Sequence, residues 1–94
     1  MVVTKAGEAL MKVKLLEHLC EELVQVAAVA VCWLEALGWT QDNAMREIRE
    51  ERFRQDMKWG SQRGHGHRTW LAILTEEVGE VARELLDSHL DEGA

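Results

Sequence analysis

Glu21-Glu22-Leu23-Val24-Gln25-Val26-Ala27-Ala28-Val29-Ala30-Val31-Cys32-Trp33-Leu34 opens on two carboxylates and then stays apolar to its end, broken only by Gln25. The apolar residues do not alternate with polar ones, and the alanines favour helix, so the stretch reads as helix rather than strand. It falls far short of the roughly 20 apolar residues a membrane span needs. Just upstream, Leu10, Val13, Leu16 and Leu19 recur at helical spacing. The whole therefore predicts one long helix A from about Gly7 to Leu37, with Gly38 as its terminator. Its first half is amphipathic. From Leu23 the apolar character wraps around, as expected of a helix covered on most sides.

Outward from helix A, Trp39 to Asn43 form a short connection, with Thr40 or Asp42 as N-cap of a helix B over about Asn43 to Lys58. Met45, Ile48, Phe53 and Met57 mark its inner side. Gly60 to His67 hold three glycines and predict a flexible loop. Thr69 then caps a helix C over about Trp70 to Ser88, with the stripe Leu71, Leu74, Val78, Val81 and Leu85 facing inward. The ends, about 1–6 and 90–94, read as frayed. With no proline and no strand-like alternation, the chain is expected to be all-α. It reads as a single domain, 1–94, forming a small antiparallel bundle of about three helices. A chain of 94 residues buries a modest share of its surface, so oligomerisation, as a homodimer or a dimer of dimers, is a natural supplement.

The balance of 17 Asp and Glu against 11 Lys and Arg gives a net charge of −6. That argues against binding DNA or RNA polymers, which need a basic footprint. It does not argue against a nucleotide, because a bound metal reverses the local charge. Cys20 and Cys32 lie roughly 18 Å apart along helix A and cannot bridge within it. They read as reduced, mostly buried thiols, and together with the absence of a signal-like segment they point to a cytoplasmic protein with no membrane association.

The acidic residues carry the chemistry. In Thr75-Glu76-Glu77-Val78-Gly79-Glu80-Val81-Ala82, Glu77 and Glu80 are three apart and share a face with Glu84, at the border of the apolar stripe; Glu76 lies beside Glu80 toward solvent. On helix A, Glu22 and Gln25 share a face with Val26, Val29 and Trp33, expected to be the most buried part of the molecule. A glutamate there requires a partner. Two readings stay open. A Glu-rich helix is also what a solvated face looks like, and Glu22 can pair with Arg49, Arg52, Arg54 or Arg83. Alternatively, two such helices line an oxygen-donor site for Mg²⁺. Trp33 and Trp70 read as core. His65 and His67, in the glycine loop, read as part of a disordered loop, ahead of a phosphate contact or adventitious metal binding.

These residues resemble a known family, the MazG-like all-α nucleoside triphosphate pyrophosphohydrolases. Glu76-Glu77-Val78-Gly79-Glu80 is similar to the family's Glu-Glu-x-x-Glu helix, and Glu22-Leu23-Val24-Gln25 to its Glu-x-x-Asp motif. Glu47 to Gly60, ending Lys58-Trp59-Gly60, resembles its first helix. The resemblance covers roughly 15–38 and 46–87. It departs in order, since the family's last motif is N-terminal here, as in a circular permutation that joins the old termini through Gly38 to Asn43. It departs in chemistry at Gln25, where the family has Asp. The resemblance implies a Mg²⁺-dependent enzyme, with Mn²⁺ as possible substitute, that releases pyrophosphate and a nucleoside monophosphate from a nucleoside triphosphate. It implies Glu22, Gln25, Glu77 and Glu80 as metal ligands, Glu76 as the base, and Lys58, Trp59 and Arg52 as substrate contacts. With Gln25 in a ligand position, a non-catalytic oligomer that binds a nucleotide or a protein partner is the alternative.

Overall fold

The computed structural model describes residues 4–89 and is all-α, with α1 spanning Lys5–Ala36, α2 Gln41–Trp59 and α3 His67–Ser88. The expected frayed tail over 90–94 lies outside the described residues. The chain divides into two units, Met1–Arg54 and Gln55–Ala94, with the boundary inside α2.

In the first unit α1 is about 48 Å long at the usual rise per residue. It begins two residues before the expected Gly7, because Thr4 caps it: the Thr4 Oγ1 accepts from the Gly7 N–H at 3.1 Å. Its end matches the expected stop. Gly38 takes the left-handed conformation at φ 100°, its N–H donates to the Glu35 carbonyl, and the Trp39 N–H reaches back to the Leu34 carbonyl at 3.0 Å. This is the double bond of a Schellman cap, which satisfies two carbonyls the helix would otherwise leave open. Thr40 then caps α2, its Oγ1 accepting from the Asn43 N–H at 3.1 Å. Of the two candidates, Thr40 is therefore the cap and Asp42 lies in the first helical turn.

Among the described residues only Ala44 is fully buried. Val31 and Leu34 on α1 and Glu47 on α2 are half-buried. The short joint between these helices brings the end of α1 against the start of α2, and an alanine allows close approach there. Elsewhere the expected burial is not found within a single chain. The α1 face bearing Glu22 and Gln25 is exposed, with Val26 at 45% and Trp33 at 44% of full accessibility. Cys20 and Cys32 are free, as expected, but exposed. Met45, Ile48, Phe53 and Met57 on α2 are exposed too. Ala44 is therefore the only residue fully covered among the described residues, and the apolar residues expected to face inward, Val26, Val29 and Trp33 on α1 and these four on α2, are exposed.

In the second unit α2 ends at Gly60, which adopts φ 73° and donates to the Asp56 carbonyl at 2.8 Å. The loop turns at Gln62–His65, where the His65 N–H meets the Gln62 carbonyl at 3.3 Å. Helix α3 starts at His67, with Gly66 as N-cap and no side-chain cap bond. The expected cap Thr69 is instead inside the first turn. Along α3, Ile73, Leu74 and Leu85 are half-buried, while Trp70, Leu71, Val78 and Val81 are exposed. Trp70 is therefore not the core residue it was expected to be.

Gly79 lies in the middle of α3, where a Cβ would meet nothing within 4 Å. Gly79→Ala is expected to stabilise the chain by about 0.5–1 kcal/mol, since alanine restricts the unfolded chain and suits a helix interior. Urea unfolding followed by circular dichroism measures this. A loss instead of a gain would mean that another surface passes close to Gly79 in the assembled protein.

Candidate functional site

The residues singled out in the sequence fall into both units. The first carries Glu22 and Gln25 on α1 and Arg52 on α2, and all three are exposed. Next to them, His18 Nδ1 lies 3.6 Å from Glu21 Oε2, so Glu21 has a neighbour on its own helix. On α2, Glu51 accepts from the Arg54 Nε at 2.8 Å, and this bond, with Glu47 and Glu50 nearby, raises the Arg54 pKa above its ordinary value.

The second unit carries Lys58 and Trp59 at the end of α2 and Glu76, Glu77 and Glu80 on α3. All five are exposed. Glu76 and Glu80 are four apart and Glu77 and Glu80 three apart on an unbroken helix, so their side chains are neighbours on one side of it. Among the described residues no ion pair engages these three carboxylates. Within neither unit are three His, Cys, Asp or Glu side chains of the described residues grouped as metal ligands. Glu77 and Glu80 alone make a pair of carboxylates, which is half of the proposed donor set.

Lys58, though exposed, is paired with its neighbour. Its Nζ stands 4.6 Å from the centroid of the Trp59 ring, a cation–π pair on a tryptophan 58% exposed. Trp59 therefore does not pack into a core, and one face of its indole is occupied by the ammonium.

One feature was not anticipated. His65, in the glycine loop, packs against Trp70 in the first turn of α3, edge to face, with ring centroids 5.1 Å apart and planes at 79°. The spacing of five residues across a helix start is not a helical repeat, so periodicity could not reveal it. At this point the loop contacts α3. Earlier in the loop, the Arg63 guanidinium donates to the Ser61 hydroxyl at 3.4 Å.

In the first unit the joint between α1 and α2 forms a shallow open cleft of about 270 Å³ lined by Gly38, Trp39, Asn43, Arg46 and Glu47. None of the expected site residues borders it. Among the described residues no helix is long and apolar enough to cross a membrane. No family model, curated protein or solved structure matches this chain.

Proposed function

We propose that this protein is a Mg²⁺-dependent nucleoside triphosphate pyrophosphohydrolase that acts as a homodimer or a dimer of dimers in the cytoplasm. The observation that carries this reading is the row Glu76, Glu77 and Glu80, held at three- and four-residue spacing on one side of α3 and open to solvent. The resemblance of three separate segments to one enzyme family supports it.

The donor set fits a hard cation. Glu22, Glu77 and Glu80 offer carboxylate oxygens and Gln25 an amide oxygen, the ligand type that suits Mg²⁺, with Mn²⁺ able to replace it. When bound, the cation neutralises phosphate charge and favours attack by water. Glu76 is left outside the ligand set beside Glu80, where it takes the proton from the attacking water. Lys58 and Arg52 bind phosphate oxygens, and the free face of Trp59 accepts a base. The products are pyrophosphate and a nucleoside monophosphate.

Release of pyrophosphate from a panel of nucleoside triphosphates, with and without Mg²⁺, tests the reading. No release from any of them would leave the second reading, a non-catalytic oligomer that binds nucleotide, which the amide at Gln25 favours. The same residue gives a sharper test. A carboxylate contributes roughly 1–2 kcal/mol more toward a divalent cation at 4 Å in a water-like dielectric. Gln25→Asp is therefore expected to tighten Mg²⁺ binding about tenfold and to raise turnover. Unchanged metal affinity with lower turnover would assign Gln25 to water or substrate instead, and no change in either would remove it from the site.

A further inference from the structure

We draw no further inference here: the strongest candidate, the exposed apolar face of α1 that carries Leu16, Leu19, Leu23 and Val26, belongs to the homo-oligomer already proposed, and nothing in the structure shows what covers it.

Discussion

On the proposed reading, Glu80→Gln is expected to abolish pyrophosphate release and, in the same variant, to remove most of the stabilisation that Mg²⁺ would give the folded protein. The two losses have one cause. A cation that binds the folded chain and not the unfolded one stabilises it by mass action, about 2.7 kcal/mol at a hundredfold excess over its Kd. Glu80 neighbours both Glu76 and Glu77 on α3, so removing its charge weakens the most densely acidic point of the helix. Changing residues that merely support a metal ligand typically costs about 10–100-fold in affinity or activity, and a ligand itself should exceed that, so kcat should fall by at least about a hundredfold. Glu80 is exposed, so without metal the variant should melt within about 0.5 kcal/mol of the parent. Thermal melts with and without Mg²⁺, run beside the pyrophosphate assay, separate these effects. A variant that keeps both the metal-dependent shift and turnover would remove Glu80 from the site.

The parts of the fold that were legible in the sequence are those set by local chemistry. Gly38 was readable as a helix stop because the left-handed residue after a helix is most often glycine, and it carries the cap. Thr40 was one of two N-cap candidates, with Asp42, because a short side-chain oxygen can accept a free N–H of the first turn. Thr69 was misread. A hydroxyl before a periodic segment is a good cap only if the helix has not already begun, and Gly66 begins α3 three residues earlier from an extended conformation. Nothing in the side chains of His67 and Arg68 opposes that extension.

Burial was not legible in the same way. The pattern of α1 identifies which positions are apolar, but not what covers them, and Val26, Val29 and Trp33 remain exposed in the single chain. The candidate site divides along the same line. The spacing of Glu76, Glu77 and Glu80 follows from the helix alone. Glu22 and Gln25 lie some fifty residues away on another helix, and no local pattern links the two segments. The contact of His65 with Trp70 lies between these cases, since it is short in sequence but crosses from loop to helix.

Replacing Val26 on α1 with lysine is expected to convert an oligomer into monomers and to unfold a large part of the population. Leu16, Leu19, Leu23 and Val26 recur at three- and four-residue intervals along α1, with Trp33 about two turns further on, and each is exposed in the single chain. A helix carrying so much uncovered apolar surface in water requires a partner surface, and a stable interface takes about 800 Å² from each side. In the proposed homo-oligomer a second copy would bring the same row in a self-complementary arrangement. A lysine buried in that seam without a counter-charge costs several kcal/mol, comparable to the whole stability of a small domain. The control is Lys14→Glu, which changes charge on the same helix outside the apolar row and should leave the assembly intact. Light scattering at micromolar concentration reads the mass, and circular dichroism reads the helix content. A parent protein that is already a stable monomer would refute the interface. If instead the parent is an oligomer and Val26→Lys keeps both its mass and its helix content, the chains associate through a face other than this one.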